Sequence, residues 1–510
     1  MALAHRVLAN AYRDSVALMQ LSAALAKLAG VKQASAVMAT PANLELLRRA
    51  GLDAVPAQAK PSDLLIVVEG EAAKLSAALD EAERCLAAPS GGAPAAGPQQ
   101  LAPRSIAMAL AEEKSANLAL ISTPGDYAAA EALKALKLGL HVMLFSDNVS
   151  SADELMLKRR ARASGLIVMG PDCGTAILNG IPLAFANVVR RGAIGAVAAS
   201  GTGLQEVTVL VDRLGAGISQ AIGTGGHDLS QEIGGISMLS GLAALAADAA
   251  TKVIVLVSKP PAKEIAAAVL AAARRAGKPV VVNFLGADPR AVSGGNVHGV
   301  ETLEDAANAA VAALKKRLPK RKKAIPGKTP KFGKGQHFIR GLFSGGTFCF
   351  EAALLLQQSL EDVWSNSPVG KAKRLADAWH SRGHTLVDLG EDEFTRGRPH
   401  PMIDHRLRNE RLLAEAANKS VAVILFDVVL GYGSHADPAA EMVPVLRKAR
   451  AIARKGKRRL VFVGHVCGTK GDPQGLEQQC KALEGAGVLL AASNAQAVRW
   501  AIGIVQGAKR

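Results

Sequence analysis

Short apolar runs alternate with stretches of helical spacing along most of the chain. The run 253–257 is typical of a buried strand, and residues 203–214 repeat apolar positions at the spacing of one helix face. The N-terminal segment alternates in the same way, with a helix predicted at 16–25 and strands at 34–40 and 64–68. This rhythm predicts an α/β fold with parallel sheets and right-handed crossovers.

Two of the predicted strands end in turns of small and polar residues. The strand 166–169 runs into Gly-Pro-Asp-Cys-Gly-Thr at 170–175, and the strand 196–199 runs into Ser-Gly-Thr-Gly at 200–203. Ligands of open α/β sheets bind at the carboxyl ends of strands, and the N–H groups of a following helix can bind an anion. For each turn alone a tight βα connection is the better explanation, whereas two of them in this order favour a ligand site.

The C-terminal part of the chain repeats the pattern of its middle part. Residues 337–510 follow the order of strands and turns found in 192–314, and Ser-Gly-Gly-Thr at 344–347 occupies the place of the Ser-Gly turn at 200–203. We therefore expect two related domains that face a shared cleft. The expected organisation is a Rossmann-like domain at 1–188 with a mobile loop at 88–103, two flavodoxin-like domains at 189–314 and 337–510, and a basic linker at 315–336.

Composition narrows the function classes further. The 510 residues carry a net charge of +17, much of it in the block 315–323. Nucleic-acid binding would need aromatic platforms beside this block; only Phe332 and Phe338 are near, so a solvated linker is the preferred interpretation. The apolar runs are too short for membrane spans, and no signal peptide is evident. The five cysteines are scattered, so we expect a cytoplasmic protein with no metal site.

The densest polar cluster lies at 395–409. Arg396 and Arg398 are suited to binding a carboxylate or phosphate, and the prolines flanking His400 would fix the direction of that imidazole for acid–base work or hydrogen bonding. The alternative is a surface loop in which Asp404 caps a helix and the arginines are solvated. We favour the functional interpretation because rigidity and charge density coincide.

Other polar residues allow a structural and a functional interpretation. His227, which follows the glycine-rich turn Gly225-Gly226 and precedes Asp228, is a hydrogen-bond donor or an ordinary loop residue. Cys173 is a nucleophile if a helix start lowers the pKa of its thiol, and otherwise a packing residue, which is the preferred interpretation. Asp427 and Asp437 orient a ligand or cap a helix.

The order of these motifs resembles the α subunit of succinyl-CoA synthetase, in which a Gly-Pro-Asn-Cys loop, a Ser-Gly-Thr turn and a Gly-Gly-Asp loop follow one another. The resemblance becomes closer to the FdrA-type proteins of the acyl-CoA synthetase superfamily. It rests on Phe145–Val149, Met169–Thr175, Pro182–Val188, Val257–Pro261 and Gly397–Asp404, and it covers nearly the whole chain.

Two departures from the synthetase pattern concern the mechanism. The Gly-His-Ala-Gly loop, whose His is phosphorylated in succinyl-CoA synthetases, is missing between Gly286 and Val300, and His298 lies at a strand-like position that makes it a poor substitute. The first strand leads into 9–15 rather than into a glycine-rich CoA turn. Phosphoryl relay and standard CoA binding are therefore both in doubt, and no ATP-grasp domain is evident.

The resemblance implies a subunit of an oxamate carbamoyltransferase in purine and allantoin breakdown, acting on an activated acyl group of a small carboxylate together with separate protein subunits. Its implied alternatives are an acyl-CoA ligase subunit that needs a nucleotide-binding partner, and a non-catalytic structural or regulatory subunit. CoA or carbamoyl phosphate is then a substrate, and no resident cofactor is certain. Neither nucleic acid nor a membrane is an expected partner.

The candidate site residues fall into three groups. The catalytic candidates are His400, Arg398, Arg396 and His227. The anion- and substrate-binding candidates are Ser200, Gly201, Thr202, Gly225, Gly226, Ser344, Gly345, Gly346, Thr347 and Asp404. The CoA-type loops contribute Ser146, Asp147, Asn148, Gly170, Pro171, Asp172 and Cys173.

Overall fold

A computed structural model describes residues 2–13, 15–52, 59–87, 103–315, 325, 331–395 and 398–507. It has an α/β fold with mostly parallel sheets. The chain divides into a first unit, residues 1–171 with 392–404, and a second unit, residues 172–391 with 405–510. Most of the expected loop at 88–103 and of the expected linker at 315–336 lies outside the described residues.

The elements are numbered in chain order. The strands are β1 (Ala2–Leu8), β2 (Val31–Met38), β3 (Leu64–Gly70), β4 (Leu118–Ile121), β5 (His141–Leu144), β6 (Val168–Met169), β7 (Thr175–Leu178), β8 (Ile181–Ala184), β9 (Arg191–Ala199), β10 (Ile218–Gly223), β11 (Val253–Ser258), β12 (Val280–Phe284), β13 (Val297–Gly299), β14 (Phe338–Phe343), β15 (Val363–Ser365), β16 (Lys373–Arg374), β17 (His384–Asp388), β18 (Val421–Val429), β19 (Val461–Cys467) and β20 (Val488–Ala491). The helices are α1 (Ser15–Leu25), α2 (Pro41–Arg49), α3 (Ala72–Ala87), α4 (Ile106–Glu112), α5 (Gly125–Lys137), α6 (Ser151–Ala163), α7 (Gly201–Arg213), α8 (Ile236–Ala247), α9 (Lys263–Arg274), α10 (Pro289–Val292), α11 (Leu303–Lys315), α12 (Gly346–Leu356), α13 (Asp392–Thr395), α14 (Arg406–Ala417), α15 (Pro438–Lys455), α16 (Leu476–Gly485) and α17 (Asn494–Gly507).

The first unit contains two small sheets of different kinds. Strands β4, β5 and β6 pair in parallel, as the sequence pattern predicts. In the other sheet the order is β1-β3-β2, and β3 pairs antiparallel with both neighbours. The prediction of a parallel sheet was therefore wrong for this segment. Alternating strand and helix patterns fix the order of elements along the chain but not the order of strands in the sheet, and here β3 runs back between β1 and β2.

The second unit contains two sheets of seven strands each. The first has the order β13-β12-β11-β9-β10-β7-β8, with β7 and β8 forming an antiparallel hairpin at one edge and the other strands parallel. The second has the order β16-β15-β17-β14-β18-β19-β20 and is parallel throughout. The unit begins at Asp172, so the hairpin groups with this sheet although the expected domain boundary was at 188.

The central strands of both sheets are buried on both faces, which explains their unbroken apolar runs. Every side chain of β11 and β18 is buried. Strands β9 and β14 occupy equivalent central positions, and each is followed directly by a Ser-Gly turn and a helix, α7 or α12. The two turns therefore lie at the carboxyl ends of central parallel strands, where the sequence analysis placed them.

The described residues contain no helix that is long and apolar enough to cross a membrane.

Candidate functional site

The N-termini of α7 and α12 meet in the second unit. Ser200 caps α7, because its Oγ accepts a hydrogen bond from the Gly203 N–H at 3.0 Å. The same Oγ lies 2.6 Å from the Thr347 Oγ1 in the first turn of α12. The turns of the two repeated halves thus form one site, which we call the paired helix site and define by Ser200–Gly203 and Ser344–Thr347.

Glycine is required at this junction because the two helices approach so closely. A Cβ atom at Gly345 would lie 2.6 Å from the Phe348 Cδ2 and 2.9 Å from the Thr202 Cγ2. Ser200, Thr202 and Thr347 are buried, whereas Gly201 is exposed and Gly346 is half-buried. The paired helix site is therefore tightly packed on its inner side and open to solvent at the start of α7.

Two helix N-termini pointing at one place favour a negatively charged ligand. The N–H groups of a first helical turn have no acceptor inside their own helix, and the helix dipole adds about half a positive charge at the N-terminus of each helix. Phosphates and carboxylates are the usual ligands of such ends. The arrangement is chemically suited to holding an anion and to stabilising one that develops during a reaction.

An internal carboxylate already occupies part of the second helix start. Asp427 in β18 accepts hydrogen bonds from the Ser344 N–H at 2.7 Å, the Ser344 hydroxyl at 2.5 Å and the Gly345 N–H at 3.1 Å. These groups were expected to bind substrate, but they donate to the protein itself. Asp427 thus holds the turn that precedes α12 without capping the helix itself, whereas Asp437 caps α15.

A buried arginine supports Asp427 from behind. Arg408 is fully buried; its Nη1 donates to the Asp427 carbonyl oxygen at 2.5 Å and lies 3.6 Å from the Asp427 Oδ1. Its Nη2 lies 3.1 Å from the His405 Nδ1, and the His405 ring stands 5.1 Å from that of His435. Arg408 belongs to the polar cluster 395–409. It stabilises the scaffold of the site and is not part of an exposed clamp.

The glycine-rich turn after β10 lies at the same sheet edge. The Thr224 N–H donates to the Ala198 carbonyl oxygen at 2.9 Å, and Gly225 has a positive φ of 83°. The buried Asp228 accepts bonds from the Ser237 and Met238 N–H groups at 3.1 and 2.8 Å, so it holds the start of α8. The side chains of the turn reach solvent at His227. This geometry gives Asp228 a structural role and keeps His227 as a candidate.

The proposed clamp residues belong to the first unit. The half-buried His400 accepts a hydrogen bond at Nδ1 from the Met402 N–H at 3.2 Å, which places the proton of the neutral ring on Nε2. Arg398 is exposed and Asp404 is buried. Arg396 and Gly397 lie outside the described residues.

The residues of the expected CoA-type loops are divided between the units. In the first unit, Asp147 and Asn148 are exposed, and their carbonyl oxygens lie 2.4 and 2.6 Å from where a Cβ of Gly125 would be. Ser146 is buried and donates to the Thr123 carbonyl oxygen at 2.5 Å. Gly170 and Pro171 end the unit with a cis peptide bond.

In the second unit, Asp172 is exposed and has a positive φ of 52°. Cys173 is buried, and its Sγ lies 2.7 Å from where a Cβ of Gly223 would be. The close packing of this thiol against a strand end agrees with its interpretation as a packing residue.

A buried polar network behind the paired helix site ties α7 and α12 to α17. The Asn494 N–H donates to the Glu206 Oε1 at 3.0 Å, and its Nδ2 donates to the Glu351 Oε2 at 2.8 Å. His465 stands 3.5 Å from the Glu206 Oε2 and edge-on to the Phe348 ring. Burial acts to raise the pKa of Glu206, but His465 and the Asn494 bond hold that pKa below its usual range.

The residues of this network were not predicted from the sequence, because they lie in largely apolar helices and strands. A buried charge must be paired or hydrogen-bonded, so Glu206 in Leu204–Val211 and Glu351 in Phe348–Leu356 carried a usable signal. Asp388, at the end of β17, and Lys259, after β11, were not named as site residues either.

Three family models match the chain. A CoA-ligase model matches residues 342–504, a CoA binding domain model matches residues 191–286, and a model described as AllF, heavy metal-associated domain matches residues 1–102. The CoA binding domain model thus falls on the segment expected to form the first flavodoxin-like domain. The paired helix site combines a turn from each of the two CoA-related segments.

The described residues do not fit the heavy metal ion that the third model's name implies. Such ions need thiolate or imidazole ligands, and residues 1–102 contain one cysteine and one histidine. Cys85 is exposed and its thiol contacts the Glu81 Oε1 at 3.6 Å. Within the described ranges no three His, Cys, Asp or Glu side chains are grouped closely enough to hold a metal ion.

Whole-chain comparison gives a close relative. The YahF protein of Escherichia coli strain K12 is 43% identical over 496 residues, which is 95% of each chain. The succinate–CoA ligase [ADP-forming] subunit alpha 2 of Archaeoglobus fulgidus is 29% identical over 175 residues, 33% of this chain and 58% of that subunit. A solved structure of the dinucleotide-forming acetyl-coenzyme A synthetase 1 of Ca. Korarchaeum cryptofilum aligns with a TM-score of 0.32 at 14% identity, over 77% of this chain and 83% of that one.

The identity to YahF over nearly the full length, together with the CoA-ligase and CoA binding domain matches, agrees with the resemblance drawn from the motifs. The chain belongs to the family of YahF, an FdrA-type family of the acyl-CoA synthetase superfamily that resembles succinyl-CoA synthetase.

Proposed function

We propose that the protein is a subunit of an oxamate carbamoyltransferase-type enzyme that works together with separate protein subunits. In this reaction the amide nitrogen of oxamate attacks the carbonyl carbon of carbamoyl phosphate. A carbon–nitrogen bond forms, the carbon–oxygen bond to phosphate breaks, and phosphate leaves with the electron pair. The reaction needs a cradle for the phosphate but no phosphorylated histidine.

The observation that carries the proposal is the 2.6 Å approach of the Ser200 and Thr347 hydroxyls at two facing helix starts. Negative charge grows on the phosphate as its bond to carbon breaks, and preorganised N–H groups and dipoles stabilise that charge. The exposed Gly201 gives a substrate access to the first turn of α7. Since Asp427 already neutralises the N–H groups of Ser344 and Gly345, the first turn of α7 is the stronger anion-binding end.

The segment after β12 supports a mechanism without phosphohistidine. Asp288 caps the short helix α10 by accepting from the Arg290 N–H at 2.9 Å. His298 is exposed in the middle of the edge strand β13. A histidine held in a strand ladder lacks the loop that phosphoryl relay between sites requires.

Arg398 and His400 in the first unit are the candidates for binding a small carboxylate. Arg398 would pair with the carboxylate, and His400 would donate a hydrogen bond from Nε2. The match of residues 1–102 to an AllF-type domain is in line with a link to allantoin breakdown.

An acyl-CoA ligase subunit is the second candidate, favoured by the CoA-ligase and CoA binding domain matches. The full chain, co-purified with the subunits encoded beside it, decides between the two by mass spectrometry. One reaction contains carbamoyl phosphate and oxamate; the other contains ATP, CoA and succinate. Carbamoylated oxamate supports the transferase, and a CoA thioester refutes the mechanism proposed above.

Substitution of the clamp tests the residue assignment. Arg398→Ala is expected to lower kcat/KM for oxamate well over tenfold, because a carboxylate loses its cationic partner. Arg447→Ala, an exposed arginine on α15, is the matched control and is expected to leave the rate unchanged. Equal rates for both variants would remove Arg398 from the site.

A further inference from the structure

Asp388 lies at the paired helix site and has no counterpart in the other half of the repeat. It ends β17 and pairs in the sheet with Phe343, the residue before the Ser344 turn. In the first sheet Gly223 pairs with Ala198, so the corresponding position beside Ala199 belongs to Thr224. One half of the repeat therefore carries a buried hydroxyl where the other carries a carboxyl group.

The carboxyl group of Asp388 is directed at the start of α12. Asp388 is only 4% exposed. Its Oδ1 accepts a hydrogen bond from the Gly390 N–H at 2.9 Å, and its Oδ2 lies 2.5 Å from where a Cβ of Gly346 would be. Among the described residues no hydrogen-bond donor is found for Oδ2. This oxygen therefore lies at the start of α12 and can interact with a ligand that binds there.

The charges around Asp388 come from several elements. Lys259, after β11, attracts the carboxylate, whereas Glu391, after β17, and Asp427, in β18, repel it. Burial raises the pKa of the Cys349 thiol in α12, and the Asp388 carboxylate in turn raises it further. Burial is the largest effect and raises the pKa of Asp388 to about 7. A carboxyl group so adjusted changes its protonation near neutral pH, where acid–base catalysis is most efficient.

Lys259 adds a cation on the same side of the site. It is half-buried, and its Nζ lies 5.8 Å from the centre of the Phe350 ring of α12. A lysine beside two helix starts is expected to bind the phosphate group of a substrate and not an uncharged part of it. Lys259 and Asp388 thus place a cation and a carboxyl group beside α12.

We propose that Asp388 is the general base of this site. The inference rests on the proposed function, since it assigns the proton of that reaction. As the nitrogen–carbon bond forms, the Asp388 carboxylate takes the proton from the attacking amide nitrogen. It then returns this proton to the departing phosphate, so that the carboxylate is regenerated and no other reactant is consumed.

The test compares Asp388→Asn with Glu351→Gln in the full chain co-purified with its partner subunits. Both residues are buried carboxyls with a pKa of about 7, but Glu351 belongs to the network behind the site. Asp388→Asn is expected to lower kcat/KM at least 100-fold, the lower end for loss of a general base, and to abolish the rise of kcat/KM through pH 7. Glu351→Gln is expected to retain both. Asp388→Thr, which copies Thr224, serves if the Asn variant does not fold.

Sulfate binding, measured by calorimetry at pH 6 and pH 8, distinguishes a failure of the general base Asp388 from a failure of the proposed transferase function. Sulfate stays a dianion over this range, so the ionised Asp388 should weaken its binding several-fold at pH 8 in the wild type and not in Asp388→Asn. If the wild type forms product and Asp388→Asn keeps its rate and pH profile, the general base is refuted and the transferase stands. If the wild type forms no carbamoylated oxamate, the proposed function and the proton transfer assigned to it are both refuted. If sulfate binding to Asp388→Asn still depends on pH, the Asp388 carboxyl does not lie at the anion site.

Discussion

Glu351 gives a prediction about stability that can be worked out from its contacts. It lies in α12 and is 1% exposed. Its Oε1 accepts from the Leu303 N–H and its Oε2 from the Asn494 Nδ2, both at 2.8 Å. Burial, opposed by these two bonds, raises the pKa of Glu351 from 4.5 to about 7. Glu351→Gln keeps the size of the side chain and removes its titration.

The sign and size of the effect follow from proton linkage. The folded state binds a proton at Glu351 that the unfolded chain releases above pH 4.5, so this contribution to stability is complete below pH 4.5 and is lost as the pH rises to about 7. At about 1.4 kcal/mol for each pH unit, the full loss is about 3.4 kcal/mol, of which roughly 2.5 kcal/mol falls between pH 5 and pH 8. The Gln variant loses one accepted hydrogen bond, which lowers its free energy of unfolding by about 1–2 kcal/mol at every pH relative to the protein with protonated Glu351.

Urea unfolding at pH 5, 6, 7 and 8, followed by tryptophan fluorescence, measures this difference. All three tryptophans, Trp364, Trp379 and Trp500, lie in the second unit and report on its unfolding. The wild type should be more stable than Glu351→Gln at pH 5, and the order should reverse by pH 8. Other titrating groups are common to both proteins and cancel. Free energies that stay a constant distance apart from pH 5 to pH 8 would refute a protonated Glu351 in the folded state.

Three further substitutions test the packing of the paired helix site. Gly345→Ala should lower unfolding free energy by about 1–3 kcal/mol and weaken sulfate binding, because its Cβ would meet Phe348 and Thr202; Gly485→Ala, with open space around it, should do neither. Ser200→Ala should cost about 1 kcal/mol in urea unfolding through loss of the α7 cap; an unchanged midpoint would argue against that cap. Asp427→Asn should cost about 3–5 kcal/mol in the same assay, since it removes the carboxylate that attracts the buried Arg408 most strongly and leaves only Glu441 to balance it; a loss below 1 kcal/mol would contradict the pairing.

The turns of the site could be predicted from the sequence because they follow unbroken apolar runs. Ser200 and Ser344 each come directly after a central strand, and the repeat assigned them equivalent places before any geometry was known. The two turns meet at 2.6 Å between the Ser200 and Thr347 hydroxyls, whereas a shared cleft between the halves stays a prediction.

The direction of β3 and the contacts of Asp427 and Asp388 could not be predicted from the periodicity of the sequence. The direction of β3 between β1 and β2 is set by long-range pairing, which leaves no mark in the local pattern. Asp427 reaches across 83 positions to the Ser344 N–H, and the pairing of Phe343 with Asp388 is what carries the Asp388 carboxyl to Gly346. Asp427 thereby supplies, at Ser344 and Gly345, the negative charge that was expected from a substrate.

The facing helix starts belong to one polypeptide, since α7 and α12 lie in the same unit. Bringing them together is an intramolecular event with a high effective concentration, so dilution cannot separate them. The partner subunits proposed above would dissociate on dilution while this junction stays assembled. Activity lost on dilution would therefore report on the partners, whereas anion binding at the junction should be independent of protein concentration.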